Sequence, residues 1–229
     1  MQYTHIFFDL DHTLWDYDTN ARAVLAEIYD HFELQKETFH GPQRLTEIFF
    51  KVNDGLWQQY NQGQIDRDAI RKNRFAKVLE KLNIYGFSRE AEMNEYFLFQ
   101  CPRQNATLPG THETLTYLAE KYHLSIVTNG FDDVQGIKLE AAGLSKYFQE
   151  VFTSETTGFK KPSREIFDFA LQKLNCSNDR VLMIGDNLNT DIAGAKNAGI
   201  TPIFYNPNSQ IKVDDLWQVS HLSELTKIL

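Results

Sequence analysis

The stretch Ile6-Phe7-Phe8-Asp9-Leu10-Asp11-His12-Thr13 decides how this chain is to be read. Three successive apolar residues read as a short buried strand, and the switch to Asp-x-Asp marks its end. In an extended backbone Asp9 and Asp11 project to the same side, so two carboxylates gather at one strand end. Open parallel sheets carry their ligands at that edge.

Further short apolar runs lie at Leu124–Val127, Val151–Phe152, Val181–Ile184 and Ile203–Tyr205. Helical periodicity separates them, as in Leu115, Leu118, Ala119 and Tyr122, and in Ile166, Phe167, Ala170, Leu171 and Leu174. This alternation predicts an α/β fold with a Rossmann-like, doubly wound, mainly parallel sheet. Between the first strand and the rest, no strand pattern occurs. Ala21, Val24, Leu25, Ile28 and Phe32 form one helical stripe, and Leu45, Ile48, Phe49, Val52 and Leu56 form another. Segments 71–82 and 88–101 supply two more helices, enough for a small bundle. The expected organisation is a catalytic core of residues 1–14 and 106–229, interrupted by an inserted α-helical cap of residues 15–105.

Composition narrows the function. With 42% hydrophobic and 24% charged residues, the 229-residue chain is suited to a packed globular protein. Its net charge of −8 argues against a general grip on nucleic-acid phosphates and favours small molecules as partners. No apolar run approaches the ~20 residues that span a bilayer, and Asp9 cuts the N-terminal cluster short, so neither anchor nor export signal is expected. Cys101 and Cys176 lack the spacing of a metal or disulfide framework. A reduced, cytoplasmic setting is the expectation.

A second acidic pair, Asp186 and Asp191, follows the Val181–Ile184 run. Four carboxylates meeting at one sheet edge repel unless a cation or a retained proton offsets them. Oxygen donors alone favour Mg2+, which keeps several waters and takes phosphate oxygens readily. Counting Mg2+ and Lys161 leaves the cluster one charge short of neutrality, and a proton on Asp11 closes the gap, giving that carboxyl the acid role. Thr128-Asn129-Gly130, after the second core strand, offers a hydroxyl and backbone N–H groups to phosphate oxygens. Pro162 restricts the backbone of Lys161, and Ser163 is placed to cap the next helix.

These motifs together resemble the haloacid dehalogenase-like hydrolase superfamily, especially its phosphatases: Asp9-Leu10-Asp11-His12-Thr13, Thr128-Asn129-Gly130, Lys161-Pro162, and Gly185-Asp186-Asn187 with Asp191. The resemblance covers the core from end to end. It implies that Asp9 attacks phosphorus to form an aspartyl phosphate, while Asp11 protonates the leaving oxygen and later activates water. It also implies that Thr128, Asn129 and Lys161 bind the phosphoryl group. Asp9, the backbone carbonyl of Asp11, and Asp186 would hold Mg2+, with Asp191 as a more distant or water-mediated partner. Dehalogenases of this superfamily lack the second aspartate of the first motif, so Asp11 favours phosphate esters. His12 stands where many relatives carry Gly, which disfavours a phosphomutase.

The cap and the segments around Trp15 and Phe131 look most like the pyrimidine 5′-nucleotidase branch, implying a small phosphorylated metabolite, first of all a nucleoside 5′-monophosphate, with the cap closing over the leaving group. A sugar-phosphate phosphatase, a phospho-aspartate signalling module and an inactive interaction protein are the alternatives. His12 is read as a loop side chain. Trp15, Tyr17, Phe49, Trp57 and Tyr60 are read as core in preference to a surface for stacking a base.

Overall fold

The structure, a computed structural model, describes residues 3–209, 211–212 and 215–229. The chain divides into two compact units, Met1–Tyr17 with Asn105–Leu229, and Asp18–Gln104.

The first unit is a Rossmann-like α/β layer structure. Its strands are β1 (His5–Phe8), β2 (His123–Thr128), β3 (Glu150–Thr153), β4 (Val181–Gly185), β5 (Thr201–Tyr205) and β6 (Gln218–Val219). They form one sheet in the order β3-β2-β1-β4-β5-β6, and every pairing is parallel. β1 therefore lies between β2 and β4, with Phe8 opposite both Ile126 and Ile184. That register brings the residues after β1, β2 and β4 to one edge. All five predicted strands are present, and the short strand β6 is an addition.

Helices cover the sheet, as parallel crossovers require. They are α5 (Thr111–Ala119), α6 (Asp132–Ala141), α7 (Ser154–Thr157), α8 (Arg164–Leu174), α9 (Ala193–Asn197) and α10 (Leu225–Ile228), which follow the four helices of the other unit in chain order. Phe7, Val127, Phe152 and Met183 of the strands pack with Ile166, Phe167 and Ala170 of α8 in one buried cluster. Each such large side chain removed from water contributes about 1.5–3 kcal/mol. Ser163 occupies the N-cap of α8 as expected, but its hydroxyl turns to Glu165 and makes no capping bond to the backbone.

The second unit is helical: α1 (Tyr17–His31), α2 (Pro42–Asn61), α3 (Arg67–Lys81) and α4 (Glu90–Gln100). Pro42 opens α2, where its missing N–H costs nothing, and the Asp66 side chain accepts from Ala69 N at 2.8 Å to cap α3. Both apolar stripes are buried. Phe49, Phe75 and Phe97 meet at the centre, with ring centroids 4.8 to 5.9 Å apart, and the Arg74 guanidinium lies over two of those rings. Phe49 is therefore core, as read from its spacing.

Candidate active site

The first unit brings Asp9, Asp186, Asp191 and Lys161 together. Lys161 is fully buried, and its Nζ donates to Asp9 Oδ1, Asp191 Oδ1 and the Val127 carbonyl, each at 2.7 Å. The ammonium thus finds three acceptors in the interior, which compensates for the loss of water. Burial alone would lower its pKa, but Asp191 and Asp9 outweigh that and hold it above the ordinary lysine value.

Main-chain geometry sets this placement. Asn129, just past β2, accepts the Lys161 N–H on Oδ1 at 2.8 Å and donates Nδ2 to the Lys161 carbonyl at 2.9 Å. The Asn129 side chain is thus a two-point clamp on the lysine backbone, which leaves the expected contact of this turn with phosphate to the Thr128 hydroxyl and the backbone N–H groups. The next peptide, Lys161–Pro162, is cis. Thr128 is buried, and its hydroxyl accepts from Gly130 N at 3.0 Å, closing the turn in which they lie.

Asp9, Asp186 and Asp191 each present a carboxylate oxygen, all within 4.8 Å of one another. Asp191, expected as an outlying partner, is in the cluster itself, whereas Asp11 keeps its carboxylate outside it. Burial chiefly raises the Asp9 pKa, to about 8, with Lys161 opposing and Asp191 and Asp186 adding to the rise. Desolvation, then Asp191, lifts Asp186 to about 7 against a hydrogen bond from Thr13. Thr13 Oγ1 donates to Asp186 Oδ1 at 3.0 Å and accepts from Asp186 N at 3.1 Å, tying the loop after β1 to the one after β4. Three hard oxygen donors around a group that resists full ionisation fit Mg2+.

After β4 the chain makes a π-helical turn, Leu188–Ile192, before α9. Asn187, and neither aspartate, caps it by accepting from Asn189 N and Thr190 N. The turn folds Asp191 back so that its Oδ2 accepts from Asn187 N at 3.0 Å. Gly185 makes room for it, because a Cβ there would stand 2.2 Å from Asp191 Oδ2.

The side chain of Asp11 meets Lys138 of α6, a residue the sequence reading passed over. Lys138 Nζ lies 2.7 Å from Oδ1 and 2.8 Å from Oδ2. Two ammonium groups and a divalent cation balance four carboxylates without a retained proton, so the charge count no longer singles out Asp11 as the acid. The helical position of Lys138 offered one signal. Gln135, Lys138, Leu139 and Ala142 form an i, i+3, i+4, i+7 stripe, all four are buried, and two of them are polar. His12 is exposed with φ 62°, the left-handed region that favours glycine, and its ring lies 5.1 Å from Tyr17. Trp15 is fully buried.

Comparison with known proteins agrees with this architecture. The family model for haloacid dehalogenase-like hydrolases matches residues 3–199, and the chain belongs to that family. It is 32% identical to the pyrimidine 5′-nucleotidase YjjG of Escherichia coli, over 100% of this chain and 99% of that protein. It is also 32% identical to the pyrimidine 5′-nucleotidase PynA of Streptococcus pneumoniae, over 91% of this chain and 86% of that one. The magnesium-bound crystal structure of the HAD-hydrolase YfnB from Bacillus subtilis superposes with a TM-score of 0.87 at 27% identity, covering 100% of this chain and 99% of that one. Among the described residues no helix is long and apolar enough to cross a membrane.

Proposed function

We propose that this chain is a Mg2+-dependent phosphomonoester hydrolase that works through an aspartyl phosphate on Asp9 and acts on nucleoside 5′-monophosphates. The observation that carries the reading is the shared Lys161 ammonium, 2.7 Å from Asp9 and from Asp191 beside the oxygen of Asp186. A phosphoryl group entering there meets a nucleophile, a buried cation and a set of cation-binding oxygens at once.

Asp9 is the nucleophile, and Lys161 screens the charge between it and the incoming anion. Thr128 and the backbone N–H groups that follow it receive phosphoryl oxygens. Asp11 is the acid for the leaving oxygen and then the base for water. Asp9, Asp186 and Asp191, with the Asp11 carbonyl, hold Mg2+, which when bound neutralises charge on the transferring group. The two 32%-identical pyrimidine 5′-nucleotidases support the nucleotide class. A reducing, cytoplasmic location is part of this reading, since Cys101 and Cys176 lack the spacing of a disulfide framework.

The test is phosphate release with and without Mg2+ from pyrimidine nucleotides, purine nucleotides and sugar phosphates in competition, with Asp9→Asn as control. Mg2+-dependent turnover, pyrimidine nucleotides first, and at least about a thousandfold loss in the variant are expected. Wild-type turnover by Asp9→Asn removes the nucleophile. A sugar phosphate ranked above every nucleotide removes the nucleotidase reading.

A further inference from the structure

The geometry points to Lys138 as a positioning residue that sets the Asp11 carboxyl for both of its proton transfers, an inference that rests on the phosphomonoesterase reading above. Lys138 lies in the last turn of α6, where a lysine ordinarily extends its head to water. Here the side chain is 8% exposed, and its ammonium donates to both oxygens of Asp11. The same Nζ lies 4.7 Å from the ring centroid of the buried Trp15. A carboxylate on one side and an aromatic face on another compensate an ammonium withdrawn from solvent.

The ring is itself anchored by the loop that it serves. Trp15 N donates to Leu10 O at 2.9 Å, and Trp15 O accepts from His12 N at 3.0 Å, so residues 10–15 close on themselves around Asp11. One turn earlier on α6, Gln135 is buried with its Nε2 where a Cβ on Gly130 would fall, 1.6 Å away. One face of α6 therefore touches both the Thr128–Gly130 turn and the Asp11 carboxylate. Nothing in the assigned chemistry of Asp9, Lys161 or the acidic cluster requires a second buried lysine at this point.

A general acid acts only within hydrogen-bond reach of the oxygen it protonates, and a displacement of ~1 Å can cost about a hundredfold. Asp11 is the less buried partner, with its side chain 25% exposed, and two N–H donors from one ammonium remove its freedom to rotate. In the first half-reaction an Asp9 oxygen bonds to phosphorus, the ester P–O bond breaks with its electron pair on the departing oxygen, and the Asp11 proton moves to that oxygen. In the second, water bonds to phosphorus while giving a proton to Asp11, and the Asp9–phosphorus bond breaks with its pair returning to Asp9. Lys138 takes part in neither bond change. It keeps one carboxyl oriented for both.

The experiment compares kcat/KM for a nucleoside 5′-monophosphate with that for 4-nitrophenyl phosphate, in wild type, Lys138→Met and Lys138→Arg. This ratio of constants covers the steps through departure of the alcohol, and 4-nitrophenolate leaves without a proton. Lys138→Met is expected to lower the value for the nucleotide at least about tenfold more than that for 4-nitrophenyl phosphate, with Lys138→Arg recovering part of the difference. Loss of folded enzyme lowers both substrates alike and leaves their relative loss at one. Equal losses, no loss, or a gain on the nucleotide overturns the role of Lys138 while leaving the phosphatase reading standing. If the wild type hydrolyses no phosphate ester in the presence of Mg2+, that reading fails first and takes this one with it.

Discussion

Lys161 Nζ stands 2.7 Å from Asp191 Oδ1, and the same nitrogen stands 2.7 Å from Asp9 Oδ1. One buried ammonium joins the loop after the central strand to the turn after β4, so the proposed chemistry and the packing of the sheet edge share one atom.

Removing that atom therefore has two consequences. Lys161→Met leaves two buried carboxylates without their counter-charge, and a loss of about 3–5 kcal/mol in folding stability is expected in metal-free protein. Added Mg2+ should restore part of it by binding the same oxygens. Thermal denaturation of wild type and variant, each with and without Mg2+, checks this. A metal-free variant as stable as wild type would show that the pair holds nothing together.

The acidic cluster predicts a pH dependence with a definite sign. Asp9 at about 8 and Asp186 at about 7 retain protons in the folded chain that the unfolded chain, with its carboxyl groups near 3.8, has already released. The folded state then binds more protons than the unfolded, so the stability of the metal-free protein falls as pH rises from about 4 to about 8. Their contribution is complete below that window and is lost through it. Because Mg2+ needs ionised ligands, its binding should release protons at about pH 6 and none at about pH 9. Calorimetric titration in buffers of different ionisation enthalpy measures this directly, and buffer-independent heats at the lower pH would count against it.

Gly185 offers a steric test. A Cβ there would lie 2.2, 2.5 and 2.6 Å from Oδ2, Cγ and Cβ of Asp191, a short side chain with no space to retreat. Gly185→Ala is expected to cost about 1–3 kcal/mol in stability and to displace Asp191 from Lys161, with activity reduced at least about tenfold. The exposed Gly136, within α6 and with nothing within 4 Å of its would-be Cβ, is the control. There alanine should stabilise by about 0.5–1 kcal/mol. Denaturation midpoints and kcat for both variants separate steric displacement from a general intolerance of alanine.

Much of the candidate site's placement was legible because its residues sit where strands stop. Asp9 directly follows Ile6-Phe7-Phe8, Thr128 follows a mostly apolar run interrupted by Ser125, and Asp186 follows Val181–Ile184 by one glycine, and one-dimensional patterning suffices to place such residues at one edge of a parallel sheet. β6 was not legible, since Gln218–Val219 is too short to carry a pattern. Lys138 escaped for a different reason. A lysine in a helix has the appearance of a solvated side chain, and its place on the face with Gln135, Leu139 and Ala142 is outweighed until the tertiary approach of Asp11 and Trp15 is seen. The clamp that the Asn129 side chain makes on Lys161 was not legible, because no local pattern shows which backbone an amide holds. Asp191 was drawn into the cluster by a π-helical turn, an irregularity that periodicity cannot anticipate.

The position of β1 between β2 and β4 also bears on how the chain comes to life on the ribosome. His5–Phe8 emerges first, yet its two neighbours begin at His123 and Val181. Until those neighbours are made the nascent segment that leads into Asp9 is an unpaired apolar strand, and the helical unit between is complete before either neighbour exists. Long-range pairing of this kind is slow and exposes sticky edges. The enzyme should accordingly be inert, and most in need of chaperones, until β4 has been made.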